Sequence, residues 1–153
     1  MSELNTVKDV LKVAIKKEED AVDFYTKAVD IVKEASTREM LQEFASEEEK
    51  HVALLQDAQS SSTIERIGNR TLPPAMNLSK YLVGEKITES STPQDVMIVA
   101  MKNEDNAIEF YSEHLETFKG TDLADLFQRL CAMEKDHKER LESEYENIFM
   151  PDN

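Results

Sequence analysis

Apolar residues recur at three- and four-residue steps in four stretches of this chain, the period of a helix with one buried face. From Val7, the residues Val10, Leu11, Ala14, Ile15, Glu18, Ala21, Val22 and Tyr25 share one side of a helix predicted to run to about Glu34, with Asn5 and Thr6 as cap candidates. Met40, Leu41, Phe44, Ala45, Glu48, His51, Val52 and Leu55 define a second, capped by Ser36 or Thr37 and ended by Ser60-Ser61-Ser62-Thr63. A third begins at Thr92-Pro93, a cap followed by proline at the first helical position, carries Val96, Ala100, Glu104, Ala107, Ile108 and Tyr111, and is stopped by Gly120. Thr121 or Asp122 caps a fourth, with Leu126, Phe127, Leu130, Cys131, Glu134, His137 and Leu141 on one side and Pro151 closing it. The intervening segment contains Leu72-Pro73-Pro74-Ala75 and Gly84 and has no clean period, which makes it a long connection. The expected fold class is all-α: one domain over 1–153, made of a helix hairpin over about 5–60, a crossover over about 61–91 and a second hairpin over about 92–149.

The two hairpins repeat one another at an offset of 86 residues, the separation of Glu18 and Glu104. Thr6, Asp9, Val10, Val13, Ala14, Lys16, Glu18, Ala21, Phe24 and Tyr25 match Thr92, Asp95, Val96, Val99, Ala100, Lys102, Glu104, Ala107, Phe110 and Tyr111 identically. Glu48-Glu49-Lys50-His51 is matched by Glu134-Lys135-Asp136-His137. Two similar hairpins joined by one crossover imply a bundle with a pseudo-two-fold axis.

The repeat also duplicates a chemistry. Residues three apart on a helix share a face, so Glu48 and His51 can both reach inward, as can Glu134 and His137. With Glu18 and Glu104 they form four carboxylates and two imidazoles on four helices, the ligand set of a carboxylate-bridged di-metal centre. Carboxylates bridging two metals suit iron or manganese better than structural zinc. Each Glu interrupts an apolar stripe, and buried unpaired carboxylates are costly unless a positive charge sits among them. The plainer alternative is that the Glu residues lie at the solvated edge of that stripe. A single Glu-x-x-His in so acidic a chain would be chance; two, each 30 residues after a lone Glu, are not readily so.

Tyr25 and Tyr111 follow the lone Glu by seven residues and read as core rings whose hydroxyls need partners, a ligand carboxylate of the opposite half being the natural one. Phe24 and Phe110 read as core, and Met97, Met101 and Met133 as helical core rather than a haem or copper box. His114, opposite Ala28 in the repeat, reads as a surface histidine; Cys131, opposite Ala45, as a small buried hydrophobe.

Composition narrows the function. A net charge of −14 repels nucleic acid and anionic membranes. Only one cysteine is present, so there is no internal disulfide and no Cys-x-x-Cys iron or zinc site. No apolar run is long enough to span a bilayer, and Met1-Ser2-Glu3-Leu4-Asn5 does not resemble a signal peptide; a cytoplasmic protein is expected.

With these residues in place, the chain resembles the ferritin-like superfamily, specifically its rubrerythrin-like branch, over about Thr6–Ser60 and Thr92–Phe149. The phrases that carry the resemblance are Ala14-Ile15-Lys16-Lys17-Glu18 leading to Phe24-Tyr25, Phe44-Ala45-Ser46-Glu47-Glu48-Glu49-Lys50-His51, and their second-half copies. The resemblance implies a ferritin-like four-helix bundle around a non-haem di-iron site, with the family's ligands at Glu18, Glu48, His51, Glu104, Glu134 and His137. The rubredoxin domain common in rubrerythrins is absent from these 153 residues. Ala107 stands where those proteins carry a further ligand Glu, so redox-linked ligand exchange is not expected and His51 should ligate permanently. The resulting symmetric site is closer to that of bacterioferritin, but Glu49 occupies the place of the haem-ligating Met, and no haem is expected.

The expectation is therefore an oxidoreductase with two iron ions, or manganese, that reacts with peroxide or dioxygen. Its electrons would come from a separate donor such as a rubredoxin-type protein, and a homodimer is plausible on surface grounds. The alternatives are a ferroxidase or iron-handling protein and a non-catalytic metal-binding bundle.

Overall fold

The computed structural model describes residues 6–60, 63–68, 78–81 and 84–151. Four long helices dominate: α1 (Val7–Val29), α2 (Ala35–Ser60), α4 (Pro93–Thr117) and α5 (Asp122–Phe149). The crossover adds a short α3 (Thr63–Ile67) and a single 3₁₀ turn at Leu78–Tyr81. Asn5, Ser61, Ser62 and the Leu72–Ala75 run lie outside the described residues. Among the described residues no helix is long and apolar enough to cross a membrane.

The caps follow local chemistry. Thr6 and Thr92 each close a capping box, accepting from the N–H of Asp9 and Asp95 while those side chains accept from the cap's own N–H. Such a box is worth about 1 kcal/mol per helix. Thr121 caps α5, and Gly120, at φ +83°, turns the chain in the left-handed region that a residue with a Cβ resists. Two boundaries differ from expectation. Helix α1 stops at Val29, short of Glu34, because Asp30 and Ile31 form a turn on the carbonyls of Lys27 and Ala28. Ser36 and Thr37 do not cap α2; they lie inside its first turn, and their hydroxyls donate instead to Glu144 Oε2 on α5 at 2.9 and 2.8 Å.

The helices pair as α1 with α2 and α4 with α5, forming a ferritin-like bundle of two hairpins. Its core is split. One apolar cluster joins Val7 and Leu11 to Leu55, Phe110, Phe118 and Phe127; the other joins Phe24 to Met40, Phe44, Val96, Met97 and Leu141. The end of α2 thus lies in one cluster and the start of α4 in the other, so the crossover runs the length of the bundle. It is tied down on the way. Tyr81 donates to Glu113 Oε2 at 2.6 Å, and the Asn103 side chain brackets Glu85, accepting from its N–H and donating to its carbonyl, both at 3.0 Å.

Two side chains depart from their sequence reading, and a third agrees with it. His114 is not on the surface; it is fully buried among Phe110, Phe118 and Phe127, with Nδ1 2.7 Å from the Phe110 carbonyl. The repeat held the clue, since its counterpart Ala28 is a core position too. Met133 is exposed rather than core, whereas Met97 is buried. Cys131 is buried and packs in the first cluster.

Candidate metal centre

Between the two apolar clusters lies a layer made of Glu18, Glu48, His51, Glu104, Glu134 and His137, each at most 2% exposed. Every long helix contributes at least one member. Two groups of ligand atoms can be drawn within it, each spanning no more than 4.8 Å: Glu18, Glu48, His51 and Glu134, and Glu48, Glu104, Glu134 and His137. Glu48 and Glu134 belong to both. The two Glu-x-x-His carboxylates are therefore shared, and the two lone Glu residues each serve one group.

The histidines reach across the hairpins. His51 Nδ1 lies 3.1 Å from Glu134 Oε1 and 3.4 Å from Glu18 Oε2; His137 Nδ1 lies 3.1 Å from Glu48 Oε1 and 3.6 Å from Glu104 Oε1. Their rings are 6.3 Å apart and nearly parallel. The tyrosines cross over as well: Tyr111 donates to Glu18 Oε1 at 2.5 Å, and Tyr25 donates to Glu104 Oε1. Each lone Glu is thus held by a hydroxyl from the other half.

Charge in this layer is unbalanced. Burial, reinforced by neighbouring carboxylates, pushes Glu48 and Glu134 well above the ordinary carboxylate range. Burial also opposes ionisation of Glu18, but the neighbouring Glu48 and His51 outweigh it and leave Glu18 below its usual value. Burial works against a charged His51 too, yet Glu134 and Glu18 raise it to about 9. Burial lifts both tyrosines far above their normal range, so they remain donors. The layer borrows protons to keep so many acids together.

Even so, it leaves buried atoms without hydrogen-bond partners among the described residues: both oxygens of Glu48, Glu104 Oε2, Glu134 Oε1, His51 Nε2 and His137 Nδ1. His137 Nδ1 and Glu48 Oε1 approach to 3.1 Å without hydrogen-bond geometry. Unpaired buried acceptors cost about 1–3 kcal/mol each, and more when charged. Oxygen and imidazole lone pairs converging on two points are what two divalent cations would satisfy, and the hard donor set fits iron or manganese. These residues fit a di-metal cofactor.

A cavity of about 210 Å³ opens onto the layer between α1 and α4. Glu18, Glu48, Glu104 and Glu134 form its floor; Tyr25 and Ala107 lie on its walls, and Glu85–Ile87 of the crossover line its outer side. Lys17 stands in the wall and donates to Asn106 Oδ1. Sequence reasoning found the six inward residues but not this cavity, nor Glu47, whose Oε2 meets His137 Nε2. The signal for Glu47 was a mismatch in the repeat, where residue 133 is Met.

Known proteins bear on the arrangement. The chain is similar to a hypothetical protein of known structure from Pyrococcus furiosus, at 30% identity and a TM-score of 0.69, covering 91% of this chain and 87% of that one. It is also similar to a dodecameric thioferritin, a bacterioferritin-related protein from Bacteroides fragilis, at 22% identity and a TM-score of 0.73, covering 94% and 86%. The second likeness shows the fold alone. No curated protein is significantly similar. The rubrerythrin profile matches residues 9–145, a span that contains all four long helices' inward-facing acids and both histidines. By that match, with two adjacent buried Glu/His sites inside a ferritin-like bundle, the chain belongs to the rubrerythrin family.

Proposed function

We propose that this protein is a non-haem di-iron oxidoreductase that reduces hydrogen peroxide or dioxygen with electrons from a separate donor. Glu18, Glu48, His51 and Glu134 would hold one ion, and Glu104, Glu48, Glu134 and His137 the other. When bound, the metal pair supplies reversible one-electron chemistry at adjacent ions. The observation that carries the reading is the pair of shared carboxylates, Glu48 and Glu134, at the floor of an accessible cavity.

The chain's own residues have separable tasks. The carboxylates would hold two cations and neutralise their charge. Tyr25 and Tyr111 orient Glu104 and Glu18 and hold protons beside the centre. The cavity admits a few water-sized molecules, at roughly 30 Å³ each, which suits peroxide or dioxygen. Ala107 leaves its wall open where a longer side chain would project.

The cavity mouth also supports redox turnover over iron uptake. Among the described residues, Asp20, Asp23 and Glu85 are matched by Lys27 and Lys86 and, in the wall, Lys17, so these residues form no acidic funnel for a cationic substrate. The test is stoichiometric. Protein loaded anaerobically with Fe(II) should hold two irons per chain, be oxidised by peroxide, and return to the ferrous form with a chemical reductant through repeated cycles. Uptake well beyond two irons per chain, or a ferrous form inert to both oxidants, would overturn the proposal.

A further inference from the structure

The donor atoms repeat between the halves, but what stands behind the histidines does not. His137 presents Nδ1 to the centre, and its Nε2 meets Glu47 Oε2, a carboxylate on α2 of the other hairpin. The Phe44 ring stacks on the same imidazole at 4.0 Å and 21°. Arg140 lies 4.9 Å above Phe44 and bonds Glu43 at 2.7 Å, closing the stack from outside. His51 also presents Nδ1 to the centre, but its Nε2 is buried with no partner among the described residues. At the 86-residue offset, Met133 stands for Glu47, Leu130 for Phe44 and Arg129 for Glu43, while Leu54 stands for Arg140. Leu54 and Met133 are 36% and 37% exposed, among the few large apolar side chains that face solvent.

We propose that Glu47 makes the two metal positions inequivalent: the position beside His137 fills first and holds its ion more tightly than the position beside His51. The inference rests on the metal reading of the two clusters and adds an order to their filling. Two effects act in the same direction. An accepted Nε2–H fixes the tautomer in which the Nδ1 lone pair points at the ion, and a carboxylate acceptor makes that nitrogen a better donor. His51 has no acceptor at Nε2 among the described residues, so neither effect operates there. Partners of this kind change metal affinity by about 10–100-fold. Glu47 is thus a positioning residue, acting through His137.

Titrating the metal-free protein anaerobically with Co(II), followed by visible absorption and calorimetry, tests this directly. Wild type should bind two ions in steps separated by roughly 10–100-fold. Glu47→Met, which copies the other half at a partly exposed position, should weaken the first step alone and narrow the gap between the two. Met133→Glu should tighten the second step. Glu47→Gln, which keeps an acceptor without its charge, should fall between. Repulsion between the ions also separates the steps, but it is indifferent to residue 47. Two steps unchanged in Glu47→Met, or both weakened alike, would therefore overturn the inference while leaving the di-metal centre intact. Absence of Co(II) binding in wild type would remove the centre itself.

Discussion

The two hairpins agree where they face each other and diverge one layer out. Glu18 and Glu104, the two Glu-x-x-His pairs, and Tyr25 and Tyr111 occupy equivalent places and make equivalent crossed contacts. Behind them Phe44 faces Leu130 in the repeat, Glu47 faces Met133, and Ala28 faces His114. Identical ligands therefore do not imply identical sites. The inner layer is constrained by charge, since every acid there must be neutralised by ions, protons or hydroxyls. The outer layer carries no such shared requirement, so its residues differ between the halves in size and in charge.

The strongest way to break the equivalence is to separate shared carboxylates from unshared ones. Glu18→Gln and Glu104→Gln should each empty one metal position and leave the other, whereas Glu48→Gln should weaken both. The loss should exceed the roughly 100-fold that an outer partner commands. Metal content by elemental analysis after Co(II) loading distinguishes them; equal losses in all three variants would contradict the sharing.

A smaller effect concerns protons. Glu48, Glu134 and His137 are raised in the folded protein, and His51 rises from 6.5 to about 9, so the metal-free fold binds protons that the unfolded chain has released. The stability they contribute is complete below the unfolded values and is lost as pH rises through the folded ones. The Tm of the metal-free protein should fall between pH 6.5 and about 9. Metal ions take over the protons' task, so the loaded protein should lose that slope and gain about 2.7 kcal/mol per ion at a hundredfold excess over Kd. A metal-free Tm that is flat or rises across this window would refute the account.

The tyrosines sharpen the comparison at the smallest scale. Tyr25→Phe and Tyr111→Phe each remove one hydroxyl from one lone Glu, at a cost of about 1–2 kcal/mol. Equal shifts in Co(II) spectra and in Tm would show that the inner layer is symmetric; a larger effect at Tyr25, which serves the His137 side, would extend the asymmetry inward.

The fold and the inward-facing residues could be read from the chain because helical period and a doubled motif are local and redundant: Thr6-x-x-Asp9 and Thr92-x-x-Asp95 announce two starts, and three donors recur at one offset. What was not legible depends on contacts between helices. Ser36 and Thr37 have the chemistry of caps, but Glu144 draws their hydroxyls across the bundle. His114 was misplaced because a polar residue type was weighed above its register, although Ala28 marked the position as core. The cavity depends on the course of the crossover, whose pinning by Asn103 has no periodic signal.

The split of the core has a mechanical consequence. A plane of acids separating two apolar clusters is a seam across the bundle, where polar contacts and borrowed protons replace apolar packing. Metal ions set in that plane act as rivets, joining ends that apolar packing holds only separately. Without them, each end can breathe by itself, and amide exchange should report two regions opening at different rates; with them, the four helices open as one body.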